Sequence, residues 1–207
     1  TATFSKLAIN NNLIWQIENP FYSVFAQNFI EKQYLSYSSE SEKKIKSRFK
    51  RNILILMQWG YSNNKSGLTE YNNILQNGIL YNEIISLIIE SPCDLYFKIR
   101  LHPVQLGNIE LRKEIVAFLN SHLSEFDNWD CDYSSEAPLW LVASDCDGGM
   151  TMSSASAYEL ASMGIQTLAL CPTVRTNGWQ ETVFHDLEKD GYVKKMSIDN
   201  ERFRDWV

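Results

Sequence analysis

Asn52 is followed by five apolar residues in a row, Ile53-Leu54-Ile55-Leu56-Met57, set between a charged stretch and Gly60. The run does not alternate, so it does not describe a strand with one wet face. Its length predicts a strand buried on both faces, as in a parallel sheet covered by helices on either side. That expectation constrains everything downstream. Parallel strands need long crossovers, which the chain must supply as helices.

The sequence supplies them in alternation. Residues 81–90 predict a helix with Ile84, Ile85, Leu87, Ile88 and Ile89 on a wide apolar face, stopped by Ser91-Pro92. Residues 95–101 alternate and predict a second strand that ends at His102-Pro103. Residues 110–123 predict a helix, 126–132 a weak strand and 139–143 a short helix. Ser134-Ser135-Glu136-Ala137-Pro138 carries helix-start chemistry, with a serine to cap and a proline in the first turn. Residues 147–152 predict a strand. Ala157, Leu160 and Ala161 then lie at helical spacing until Gly164, and 165–170 predict another strand. A helix over 181–189, a strand over 191–196 and the start of a last helix at 200–207 complete the pattern. The expected class is α/β, a Rossmann-like parallel sheet with helices on both faces. Its loops at the carboxyl ends of the strands share one edge, where such sheets bind ligands.

Upstream of Asn52 the pattern is weaker. Residues 13–17 predict a short strand and 21–37 a helix. Residues 39–51 form a charge run whose basic half, from Lys43 to Arg51, reads as a solvated helix or linker because no aromatics interleave it. Residues 1–51 are therefore expected to be a linker or the tail of a preceding domain. Residues 52–207 are the ligand-binding domain.

Composition narrows the class of function. A chain of 207 residues holds one sizeable core, and 10 Tyr, 10 Phe and 6 Trp can fill it. A net charge of −6 argues against a general nucleic-acid binder. The four cysteines form no CxxC pair, so neither a zinc site nor a disulfide framework is expected. They read as reduced thiols of a cytoplasmic protein. No apolar run approaches the ~20 residues of a membrane span, and no signal-peptide pattern is present. The first residue is Thr1, which suggests a piece of a longer protein.

Two motifs carry chemistry. Ser153-Ser154 lies between a predicted strand and a predicted helix, where backbone N–H groups attract anions. Serines there either cap the helix or hold an anionic ligand. Arg100-Leu101-His102-Pro103 closes another strand at the same predicted edge. With an ordinary pKa of ~6.5, His102 can donate a hydrogen bond to a phosphate or protonate it as a bond breaks. The loop leaving the first strand, 58–68 with Gly60, fits either a ligand loop or a plain connection. Lys65 and Arg175 are loop cations and read as surface charge.

The order of apolar strand, helix, strand ending in His102-Pro103, helix, and strand ending in Ser153-Ser154 before a helix with Glu159 resembles a known family. It looks like the carboxyl-terminal, nucleotide-sugar-binding half of a GT-B glycosyltransferase, over about residues 52–196. More narrowly it resembles bacterial sialyltransferases and Kdo transferases that use CMP-sugars. The resemblance implies that Ser153 and Ser154 bind the donor phosphate. It implies that His102, beside Pro103, acts on the departing nucleotide, and that Glu159 holds the ribose hydroxyls. In related folds the region of Ser134, Ser135 and Glu136 grips the base. Gly60 joins these as a substrate-binding candidate, and no metal or other cofactor is expected. The implied setting is capsule or lipopolysaccharide synthesis in the bacterial cytoplasm, with peripheral association at the inner membrane face. Partners are a nucleotide-sugar donor and a saccharide acceptor held by a missing amino-terminal domain. The resembling sialyltransferases take their general base from that domain, and Asp145 and Asp147 sit in the wrong place to replace it. They read as a turn. The chain alone is therefore expected to fold without transferring sugar. Two other functions share the pattern: a nucleotide-sugar epimerase or CDP-glycerol-type polymer transferase, and a non-catalytic α/β binding or scaffold module.

Overall fold

The computed structural model describes residues 49–57, 80, 82–91, 93–171, 183–198 and 200–207. The expected strand at 13–17, the helix at 21–37, nearly all of the charge run, the Gly60 loop with Lys65, and Arg175 lie outside the described residues.

The apolar run is the strand β1, Arg51–Leu56. It is followed by α1 (Asn82–Glu90), β2 (Leu95–Arg100), α2 (Pro103–Gly107), α3 (Ile109–Leu123) and β3 (Trp129–Asp130). Then come α4 (Asp132–Glu136), α5 (Leu139–Ala143), β4 (Gly148–Thr151), α6 (Ser156–Ser162), β5 (Thr167–Cys171), α7 (His185–Lys189), β6 (Val193–Ser197) and a 3-10 turn over Glu201–Trp206. The six strands form one sheet in the order β3-β2-β1-β4-β5-β6. Every neighbouring pair is parallel. This is the α/β, Rossmann-like class that the non-alternating run demanded.

β1 shows why its sequence cannot alternate. Ile53, Ile55 and Met57 face one way, into a core with Ile84, Ile88, Ile115, Leu119 and Phe203. Leu54 and Leu56 face the other way, against Val142 and Ala143 of α5 and Leu160 of α6. Helices therefore cover both faces. A third cluster joins Ala157 and Ala161 of α6 to Ala169, Leu187 and Val193. Phe49, just before β1, packs its ring on Tyr96 with centroids 5.3 Å apart.

Several expectations need correction. The weak strand over 126–132 shrinks to Trp129–Asp130. The Asn128 amide, just before the strand, donates to Ile88 O and Ser91 O, and the indole of Trp129 donates to Leu123 O. Ser134 and Ser135 cap nothing. They are buried inside α4, and Pro138 is the residue that precedes α5. Helix α7 begins only at His185, after Phe184 in a left-handed conformation with φ 55°. The last helix is a 3-10 turn.

Asp145 lies in a turn between α5 and β4, followed by Asp147, which leads into β4. Asp147 accepts the Asn52 N–H at 2.7 Å, at the amino end of β1. Asp145 receives the Lys98 ammonium at 2.5 Å. Both carboxylates thus support the sheet from the end opposite Leu56 and Met57.

At Gly149 of β4, Leu160 of α6 lies close against the sheet. A Cβ there would lie 2.5 Å from Leu160 Cδ1 and 3.0 Å from Thr167 Oγ1. Gly149→Ala should cost about 1–3 kcal/mol, the usual range for an overpacked core. Urea unfolding checks it; an unchanged midpoint would show that α6 moves aside freely.

Candidate functional site

The chain runs from β1 outward to β2 and β3, then crosses back to β4 on the other side of β1. In open parallel sheets ligands bind outside the carboxyl ends of the strands at such a reversal. A pocket of about 510 Å³ lies there. It is lined by Leu56 and Met57 after β1, Arg100–Pro103 after β2, Leu139, and Ser153–Ser156 with Glu159 after β4. The structure thus brings His102, Pro103, Ser153, Ser154 and Glu159 together. Their spacing in the chain, 57 residues from His102 to Glu159, is closed by β2 and β4 flanking β1.

His102 is fixed by a capping box that the sequence reading did not anticipate. Its Nδ1 accepts the Val104 N–H at 3.2 Å, and Gln105 Oε1 accepts the His102 N–H at 2.8 Å. Pro103 occupies the first turn of α2, where its missing N–H costs nothing. An Nδ1 that accepts a hydrogen bond carries no proton. The neutral ring therefore bears its proton on Nε2. Burial pushes the His102 pKa below its ordinary value, so the ring is neutral at neutral pH.

The serine turn is built differently from a simple cap. The residue preceding α6 is Ala155, with no side-chain cap. Thr151 ties the turn to β1: its hydroxyl donates to Leu56 O at 3.2 Å and accepts the Ser154 N–H at 3.1 Å. Ser154 Oγ accepts the Ser156 N–H at 3.3 Å. Two N–H groups are thereby engaged within the turn, and both serines remain half-buried in the pocket wall.

Ser135 does not line this pocket. It is buried, accepts the Leu101 N–H at 3.0 Å and donates to Ile99 O at 3.4 Å, which holds α4 to the end of β2. Ser134 similarly donates to Asp130. Gly60 lies outside the described residues.

Arg100, two residues before His102, has no role legible in the sequence. It lines the pocket, and its NH1 donates to Ser134 O at 2.5 Å and Ala137 O at 2.6 Å. Burial lowers its pKa, while the charge of Glu159 raises it. Glu159 is pushed up by burial and pulled back by Arg100. The available signal was register: Arg100 pairs with Leu56 of β1, whose side chain faces α5 and α6, so the two side chains share that face.

Among the described residues no group of three or more His, Cys, Asp or Glu is placed to hold a metal ion. Nor is any described helix long and apolar enough to cross a membrane. Burial raises the Cys131 thiol to about 11, which makes it a poor nucleophile.

Comparisons with known proteins give a likeness to solved structures alone. No family model matches the chain, and no curated protein matches it. Among solved structures, one described as an S. aureus MnaA-UDP co-structure is similar, with a TM-score of 0.44 and 20% identity. The match covers 76% of this chain and 35% of that one, so the chain spans about a third of the length of MnaA.

Proposed function

We propose that residues 52–207 form a nucleotide-sugar-binding domain. One observation carries the reading: a pocket at the strand-order reversal is lined by Arg100, His102, two serines and Glu159. A cation, an N–H donor and two hydroxyls suit an anionic phosphate. A carboxylate suits the paired hydroxyls of a ribose, because it accepts two hydrogen bonds. The volume lies within the 300–1,000 Å³ or so typical of small-molecule sites.

The roles follow from that chemistry. Ser153 and Ser154 donate their hydroxyls to the phosphate. His102 donates from Nε2 and steadies the charge that grows on the departing nucleotide. Glu159 takes the ribose. The domain is the donor half of a glycosyltransferase that acts on a CMP-sugar in capsule or lipopolysaccharide synthesis at the inner membrane face. The acceptor sits on a part of the protein outside residues 52–207. The CMP choice rests on the paired His-Pro and Ser-Ser motifs.

Calorimetric titration with CMP, CDP, UMP and UDP tests this. Wild-type protein should bind CMP, and the double variant Ser153→Ala/Ser154→Ala should bind at least about tenfold more weakly, the loss of one to two charge-assisted hydrogen bonds. Preference for a uridine nucleotide together with turnover of a UDP-sugar without acceptor would favour an epimerase. Absence of binding to all four would overturn the nucleotide reading and leave a scaffold module.

A further inference from the structure

We propose that Thr151 is a positioning residue for the pocket: its hydroxyl sets the Ser153-Ser154 turn so that the Ser154 hydroxyl donates to an anionic phosphate. The inference rests on the nucleotide reading and deepens it, because it names the group that makes the turn select the phosphate of the ligand.

A line of hydrogen bonds runs along the carboxyl edge of the sheet. The Met57 N–H donates to Arg100 O at 2.9 Å, which joins the end of β1 to the end of β2. Thr151, the last residue of β4, pairs in register with Leu56 on one side and Ala169 on the other. Its hydroxyl donates to Leu56 O at 3.2 Å and accepts the Ser154 N–H at 3.1 Å. Ser154 Oγ in turn accepts the Ser156 N–H at 3.3 Å. Leu56 and Met57 line the pocket after β1, and Ser153, Ser154 and Ser156 line it after β4. Thr151 is buried and does not line it. The threonine therefore ties two walls of the pocket together without touching what lies between them.

The chemistry of the donors fixes where each proton lies. A backbone N–H can only donate, so Thr151 Oγ1 accepts from Ser154 and sends its own hydrogen to Leu56 O. The N–H groups of Ser154 and Ser156 are both engaged within the turn. A serine hydroxyl has one hydrogen and two lone pairs. The Ser156 contact takes a lone pair of Ser154 Oγ and leaves the hydrogen to donate. Ser154 thus meets a phosphate through its hydroxyl rather than through its N–H, as a charge-assisted bond.

A hydroxyl bridges a carbonyl and an N–H from a single atom, and a β-branched residue suits the strand. An apolar residue of the same shape at position 151 would leave Leu56 O without this donor and the Ser154 N–H without its acceptor. The turn would then settle elsewhere, and a displacement of about 1 Å is enough to spoil a preorganised contact.

NMR titration of the full chain with a nucleotide and its nucleoside, CMP against cytidine or UMP against uridine, tests this. The ratio of the two affinities isolates the phosphate, whereas a purely structural role for Thr151 would weaken both ligands alike. Wild type should favour the nucleotide. Thr151→Val, which keeps the shape and removes the hydroxyl, should lower the ratio about tenfold, the scale of a hydrogen bond to a charged group. Its nucleoside affinity should stay as in wild type. Thr151→Ser, which keeps the hydroxyl, should hold the wild-type ratio. An unchanged ratio in Thr151→Val, whether both affinities hold or both fall equally, would overturn the proposal and leave Thr151 as a tie between β4 and β1. If Thr151→Val does not fold, Thr151→Ser decides: a ratio that collapses despite the retained hydroxyl overturns the proposal, and a ratio that holds supports it. Wild type that binds nucleotide and nucleoside equally has no phosphate site, which removes the proposal along with the serine roles. Wild type that binds neither overturns the nucleotide reading itself, and the inference with it.

Discussion

Asp145→Ala should destabilise the fold by about 3–5 kcal/mol, the cost of breaking a buried pair from one side. The Lys98 ammonium meets Asp145 at 2.5 Å, with side-chain exposures of 8% and 10%. Its other contact is Val142 O at 3.2 Å. Asp130 acts on it only at a distance. Removing the Asp145 carboxylate leaves a cation in the core between β2 and α5 with one carbonyl for company. Water compensates poorly there. Small domains have total stabilities of roughly 5–15 kcal/mol, so the variant should lose much of its margin. Urea unfolding measures it. The double variant Lys98→Met/Asp145→Leu is the informative control, because replacing both charges with apolar groups is often neutral or stabilising. A single-variant cost under about 1 kcal/mol would mean that Lys98 swings out to solvent and that the pair is not a structural lock.

That pair also marks where sequence reading reached its end. Residues 95–101 alternate, and alternation ordinarily means that one face of a strand is wet. In the fold, β2 is buried on both faces, and Lys98 occupies the position beside Leu54. Its burial is tolerated only because Asp145, 47 residues later, turns back to meet it. Nothing local announces a partner at that separation. Arg100 escaped notice for the same reason, since its meaning comes from carbonyls of Ser134 and Ala137 and from Glu159. β1 was legible because its requirement is local: five apolar residues without alternation leave no face for water. The gathering of His102 with Ser153 and Ser154 was legible once the strands were assumed parallel, because parallel order forces their carboxyl ends to one edge. The inner chemistry of the serine turn was not. Thr151 draws the Ser154 N–H inward, and no sequence rule for serines at helix starts includes that step. The same limit applies to Ser135, whose helix-start setting hid a hydroxyl directed at β2.

His102→Asn should separate what His102 does for the fold from what it does for the ligand. His102 Nδ1 caps α2 by accepting the Val104 N–H, and Ala removes that cap at a cost of about 1 kcal/mol. Asn can cap as well as the histidine, since its side-chain oxygen accepts in the same way. His102→Asn should therefore melt near wild type, with His102→Ala below it. Both variants lose the Nε2 donor. If His102 supports the leaving nucleotide, both should lower sugar transfer, in a form of the protein that performs it, by about 10²–10⁴-fold. Nucleotide affinity should change far less, because the developing charge exists mainly in the transition state. The pH dependence gives a second reading. Nε2 donates in the neutral ring, and protonating Nδ1 would break the bond from Val104. Burial already holds the pKa below its ordinary value. A hydrogen-bonding His102 should thus leave activity level from neutral pH down to its lowered pKa. A general acid would make activity rise as pH falls toward that pKa. Transfer that survives in His102→Asn at more than about a tenth of the wild-type rate would reduce His102 to the cap of α2.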